Sequence, residues 1–386
     1  MKKIILIPDS FKGTMSSMRV CTIMEEAIRA HYPEAEIISV PVADGGEGSV
    51  EAFLSAVGGK RISIEVSGPY FNKMEACYGI IDDTTAVIEM ACCAGLPLVG
   101  DHKDPGKTTT FGVGEMILDA VKRGCRRIIV GLGGSATNDG GVGAAAAVGV
   151  RFLDRSGNSF VPTGNCLSDI ASIDMSGRSP ALADIEIIAM CDVDNPLTGT
   201  SGAAAVFGPQ KGADIRMVQF LDGQLRDLGE LVKKDLSKDV ATLPGAGAAG
   251  GMGAGMLAFF DATLTRGIEV VLDLVRFDDL LEGCDLVFTG EGSLDSQSLR
   301  GKVVIGVARR TKKRQIPLVA VVGDIGPSVE SAYDEGVSAI FSINRVAKDF
   351  TQVIARAPED LALTMDNLMR FLRRMGFCEQ RHETRS

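Results

Sequence analysis

Short apolar runs that stop at glycine- and aspartate-rich loops recur along this chain, and their recurrence restricts the fold more than any other feature. Residues 3–8, 36–40, 127–130, 285–288, 318–322 and 339–343 each form such a run. Runs without polar alternation suit strands covered on both faces, as in parallel sheets. Amphipathic stretches of helical period lie between them, for example 17–30, 112–123 and 303–311. This alternation is the pattern of an α/β protein. A second region reads differently: 61–66, 75–81 and 86–90 are separated by the turn-rich SGPYFNK and DDTT, which predicts antiparallel pairing. Residues 185–190 and 203–207 read as further strands of that region, and 215–234 as a long helix. The expectation is two α/β domains that interrupt one another. One is a doubly wound parallel sheet built from 1–66, 100–149 and 283–386; the other is a mixed sheet built from 67–99 and 150–282.

The loops after these runs carry the chemistry. DSFKG (9–13), ADGGEG (43–48), GLGGSATNDGG (131–141), TGEG (289–292) and GD (323–324) all fall at carboxyl ends of expected strands. Ligands of open α/β sheets bind outside those ends. The chain has 46 glycines, where average usage predicts roughly 27. Five clusters (45–48, 131–143, 199–212, 245–255 and 290–292) hold 21 of them, which reads as backbone cleared for the approach of an anion. A hydrophobic share of 45% excludes disorder. A net charge of −10 argues against nucleic acid and an anionic membrane surface. The first apolar run stops at Pro8-Asp9, too soon for a signal peptide or a membrane span. Nine cysteines without a CxxC pair read as reduced thiols, and the expected location is cytoplasmic. The three histidines are poorly placed for a Ser-His-Asp triad or a histidine metal site. Acid–base work therefore falls to Asp, Glu or Lys.

Two nucleotide motifs need weighing. PGKTTT (105–110) looks like the end of a P-loop, but Asp101 stands where the first glycine is required. Gly131–Ala136 fits GxGxxA after a strand, with Asp154 where a ribose-binding acid would stand. That pattern supports an alternative, an NAD-dependent oxidoreductase acting on a small hydroxy acid. Thr137-Asn138-Asp139-Gly140-Gly141 interrupts the helix this alternative needs. Phosphoryl transfer suits the remaining segments better. It needs backbone N–H groups around phosphates, cations, carboxylates for Mg²⁺ and a group to deprotonate a hydroxyl. GGSATNDGG supplies the first, and Lys12, Lys211 and Lys302 supply cations. Asp44, Glu47, Asp139, Glu291 and Asp295 supply candidate metal ligands, and CDVDNPLTG (191–199) places Asp192 at a strand end. GAGAAGGMGAG (245–255) reads equally as an anion loop or as a tightly packed Gly/Ala helix start.

Taken in order, DSFKG, PVADGGEG, GGSATNDGG, CDVDNPLTG, VFGPQKGA, PGAGAAGGMGAG and TGEGSLDSQSLRGK resemble the bacterial glycerate kinases of the type that makes 2-phosphoglycerate. The matches run from residue 9 to about 308, and two departures, Gly13 and Val113, remove no group the chemistry needs. The resemblance implies a Rossmann-like domain plus a second α/β domain, with the active site in the cleft between them. It implies transfer of the ATP γ-phosphoryl group to a hydroxyl of D-glycerate with Mg²⁺, giving 2-phosphoglycerate or its 3-phospho isomer; a homodimer is the candidate assembly. The expected roles are catalytic for Asp192 (as base) and Lys12. Gly133, Gly134, Ser135, Thr137, Asn138 and Gly290 are expected on nucleotide or phosphate, and Ser10, Lys211 and Lys302 on the substrate.

Overall fold

The computed structural model describes residues 1–11, 13–42, 48–295, 298, 302–346 and 349–377. The chain forms two compact units: Met1–Asp44 with Ser55–Val57 and Ile268–Ser386, and Gly45–Leu54 with Gly58–Gly267.

The first unit is built on a five-stranded, wholly parallel sheet. Its order is Ala339–Ser342, Leu318–Val322, Leu286–Gly290, Lys3–Pro8, Glu36–Ser39. Ile4, Ile5, Leu6 and Ile7 are all fully buried, because helices cover both faces. Ile4 and Leu6 join Leu286, Phe288 and Val321 under the helices Ser17–His31 and Ala357–Arg374, which contribute Met24, Leu361 and Met365. Ser16 caps the first of these helices by accepting from the Arg19 N–H, and His31 Nε2 meets Asp366 Oδ1 at 2.7 Å between the two. The order of connections reverses between Lys3–Pro8 and Leu286–Gly290, so the topological switch point lies there.

The second unit holds a six-stranded mixed sheet in the order Thr263–Thr265, Glu186–Met190, Arg127–Gly131, Thr85–Glu89, Lys73–Ile81, Lys60–Ser67. The first four run parallel and the last two are added antiparallel. A small antiparallel sheet, Ser159–Phe160 with Arg151–Leu153 and Ser172–Asp174, sits beside it. Phe152 stacks edge-on against Phe259 at 5.6 Å in the core of this unit.

Three expectations need correction. Residues 48–54, 58–66 and 100–149 belong to the second unit and 268–282 to the first; Arg127–Gly131, for one, pairs with Thr85–Glu89 and Glu186–Met190. Residues 203–207 form a short helix, not a strand, in keeping with three consecutive alanines after Gly202. Asp154 is no ribose ligand: it accepts from the Ser156 and Asn158 N–H groups at 2.8 and 2.9 Å, shaping the hairpin turn after Leu153.

Candidate functional site

In the first unit, the residues that follow Lys3–Pro8 and Leu286–Gly290 meet at the switch point. The Asp9 N–H donates to the Gly290 carbonyl at 2.8 Å, so the parallel ladder continues one residue past the strand. Gly290 owes its identity to packing, since an added Cβ would stand 2.0 Å from the Val321 carbonyl oxygen. Beyond it, the Gly323 and Asp324 N–H groups donate to the Glu291 and Gly292 carbonyls at 3.0 Å, drawing the two loops together. Asp295 Oδ1 accepts from the Ser298 N–H at 3.1 Å. Glu291 is buried, and its Oε1 has no partner among the described residues. Burial pushes its pKa up to about 7; Asp9 and Asp295 add to the shift, while Ser298 and Lys302 oppose it. Ser10, Glu291, Asp295 and Lys302, all expected from sequence, line one cavity of about 520 Å³.

In the second unit, the loop after Arg127–Gly131 carries a buried polar cluster. The Ala136 N–H donates to the Ala94 carbonyl and the Leu96 N–H to the Gly134 carbonyl, both at 2.8 Å. These bonds stitch the loop to segment 94–96. Lys211 is 2% exposed and donates to Ser135 Oγ at 2.8 Å and to the Thr137 carbonyl at 2.7 Å. Burial pushes its pKa down to about 7, against the charge of Asp139. Asp139 is fully buried and accepts four bonds: Thr110 N–H at 2.8 Å, Thr110 Oγ1 at 2.9 Å, Gly141 N–H at 3.1 Å and Gly143 N–H at 3.3 Å. So many donors leave a carboxylate little capacity for a metal. Burial raises its pKa, while these hydrogen bonds lower it. Thr137 Oγ1 and both amide atoms of Asn138 are buried without a partner among the described residues. Polar atoms in that condition are costly unless a ligand or water satisfies them.

The glycines of 245–255 serve packing. The helix Ala248–Phe259 bends through left-handed backbone at Ala249, Gly250 and Gly251. A Cβ on Gly250 would stand 2.0 Å from the Thr137 carbonyl oxygen, and one on Gly255 would stand 2.5 Å from that of Gly140.

Of the other expected residues, Asp192 is half-buried and its Oδ1 accepts from the Gly267 N–H at 2.9 Å. Gly133 is half-buried and Gly134 exposed. Lys12, Asp44 and Glu47 lie outside the described residues. Two partners escaped the sequence reading. Thr110 organises Asp139, and Glu89, buried at the end of its strand, accepts from the Val50 and Gly48 N–H groups at 2.6 and 3.3 Å. An acid closing the apolar run 85–89 was the available signal for the second.

The GxGxxA segment does not open a helix: the next one starts at Val142, after the polar loop. The dinucleotide alternative therefore loses both its helix and its ribose acid. What remains is a two-unit α/β protein of the small-molecule enzyme type, with a carboxylate-rich cavity at a switch point and a buried Ser/Thr/Asn/Lys cluster. Residues 4–373 match the profile of the glycerate kinase family. The chain is 44% identical to a glycerate kinase of Bacillus cereus over 368 residues, covering 95% of this chain and 97% of the relative. It is 46% identical to the glycerate 2-kinase of Escherichia coli over 343 residues, covering 88% and 90%. A crystal structure assigned to glycerate kinase 2 of Salmonella typhimurium LT2 superposes with a TM-score of 0.85 at 43% identity, covering 96% of this chain and 98% of that one. The chain belongs to the glycerate kinase family.

Proposed function

We propose that this protein transfers the γ-phosphoryl group of ATP to a hydroxyl of D-glycerate, giving 2-phosphoglycerate and ADP. The observation that carries this reading is the 46% identity to a glycerate 2-kinase over 88% of the chain. In the reaction, the hydroxyl oxygen bonds to the γ-phosphorus while the bond to the β,γ-bridging oxygen breaks. The hydroxyl proton passes to a base, and the broken bond's electron pair leaves with ADP. Asp192 is the proposed base, its carboxylate oriented by the Gly267 N–H. The buried cluster of Lys211, Ser135, Thr137 and Asn138 suits an anionic group, with a cation beside a Thr137 hydroxyl and an Asn138 amide that have no partner among the described residues.

Mg²⁺ fits the first unit. No group of three or more His, Cys, Asp or Glu suited to a metal occurs among the described residues. Mg²⁺ commonly takes one or two carboxylates and completes its shell with phosphate and water, however. The buried Glu291 Oε1, which has no partner among the described residues, matches that demand with Asp295 near it. Bound there, the ion would neutralise charge on the β- and γ-phosphates.

No helix among the described residues is long and apolar enough to cross a membrane. The eight described cysteines are all free thiols, which supports the cytoplasmic placement in this reading.

An assay coupling ADP release to added D-glycerate tests the activity, and ¹³C and ³¹P NMR of the product reads the phosphorylated position. In the same assay Asp192→Asn keeps an acceptor for Gly267 but cannot take the proton. Its turnover should fall about 10²- to 10⁴-fold with both KM values little changed. Near-normal turnover would remove Asp192 from the role of base.

A further inference from the structure

The cavity at the switch point has a composition that says which substrate it takes. It lies wholly within the first unit, outside the carboxyl ends of Lys3–Pro8, Leu286–Gly290, Leu318–Val322 and Ala339–Ser342. Its volume of about 520 Å³ falls in the range of sites for ligands far larger than a three-carbon acid.

Its walls are of two kinds. Phe11, Ile343, Val353 and Ala357 give it an apolar side, and the first, second and fourth of these are 2%, 3% and 5% exposed. Such a surface suits a flat aromatic base and has nothing to offer a glycerate carboxylate. The polar side carries the hydroxyls of Ser10, Thr14 and Ser293 and is otherwise acidic: Asp9, Glu291, Asp295 and Asp324 contribute carboxylates, whereas Lys302 is the one cationic side chain among the described lining residues. A fifth carboxylate, Asp360, is already bound by Arg345 and Arg356. Ionised carboxylates only accept hydrogen bonds, so they suit ribose hydroxyls and repel a free organic anion. Asn344 adds an amide, able both to donate to and accept from a purine edge. The end of the cavity at Glu291, Asp295 and Lys302 is the one suited to phosphate carrying a divalent cation.

We propose that this cavity is the nucleoside subsite of the enzyme: it takes the adenosine moiety of ATP, not the hydroxy acid. The assignment rests on the kinase reading above and adds which structural unit holds the nucleotide.

Two variants on different parts of the wall test it: Asn344→Trp, at an exposed edge, and Ala357→Phe, on the apolar side. ADP binding is measured by calorimetry, KM for ATP and D-glycerate by the coupled assay, and folding by thermal melting. Inorganic tripolyphosphate, which lacks a nucleoside, serves as a competing inhibitor. For a variant that melts with the wild type, the ADP Kd and ATP KM should rise about tenfold or more. The D-glycerate KM and the tripolyphosphate inhibition constant should stay within about twofold. A rise in the D-glycerate KM with ADP binding unchanged would overturn the proposal and make the cavity the acid site. Parallel weakening of tripolyphosphate would overturn it in favour of the phosphate chain, and no change in either variant would overturn it outright. A wild-type chain that bound no ADP and phosphorylated no glycerate would instead defeat the kinase reading itself.

Discussion

Lys211 places an amine where water scarcely reaches, against a hydroxyl and a carbonyl that cannot neutralise its charge. Burial therefore lowers its pKa to about 7, although the carboxylate of Asp139 favours the charged form. In the unfolded chain the same amine returns to about 10.5. Between these values the unfolded state holds a proton that the native state has released. Native stability consequently rises with pH from about 7 toward 10, with a slope from this group of at most about 1.4 kcal/mol per pH unit. Below pH 7 both states hold the proton and this contribution is flat. Lys211→Met removes the titration, so the rise in urea midpoint from about pH 7 to about pH 9 should be smaller in the variant than in the wild type. An equal rise in both would assign the slope to another group. An anion bound beside Lys211 would favour the ammonium, so the native pKa should also move up when ligand saturates the site.

At the scale of elements, close packing of backbone on backbone explains glycines that looked, in sequence, like a phosphate cradle. Gly250 has φ +69°, and an added Cβ would stand 2.0 Å from the Thr137 carbonyl oxygen and 2.6 Å from the Asn138 Cα. Gly157 has φ +80° but nothing within 4 Å. Gly157→Ala should therefore show the left-handed backbone penalty alone, about 1–2 kcal/mol. Gly250→Ala should exceed it, because the loop bearing Thr137 and Asn138 must also move, and kinase turnover should fall with stability. Urea denaturation of the two variants side by side checks this; equal losses would mean that the loop yields freely. The same contrast shows what sequence could reveal. The polar residues of 131–141 announced themselves because they follow a strand and interrupt a glycine motif. Their partners did not: Thr110 reaches Asp139 across 29 positions and Lys211 reaches Ser135 across 76. No local spacing encodes such meetings, since the intervening fold brings them about. Residues 203–207 were misread because a short run of small apolar residues suits either element until its neighbours are known.

For the molecule as a whole, the strands were legible and their membership of a sheet was not. The run 128–130 is as apolar as 286–288, and all six side chains are buried. A strand of that kind carries no mark of which sheet receives it; pairing register with its neighbours decides. That is why residues 100–149 were expected in the doubly wound unit and lie in the other. The actual division has a consequence for folding. In the first unit Lys3–Pro8 pairs with Leu286–Gly290, so Thr289 Oγ1 donates to the Ile7 carbonyl across 282 positions. That sheet can form only after both ends of the chain are present and a very long loop has closed. The second unit is nearly one continuous stretch and contains all six strands of its sheet together with its own core. A fragment spanning 45–267 should therefore fold alone, whereas the complementary terminal segments should need one another. The chain has no Trp, so fluorescence is a poor readout. Methyl NMR of the fragment should show dispersed signals from its buried Ile, Leu, Val and Met residues, and urea should unfold it in one cooperative step. Collapsed methyl signals with a gradual urea response would mean that the six-stranded unit depends on the parallel one for its packing.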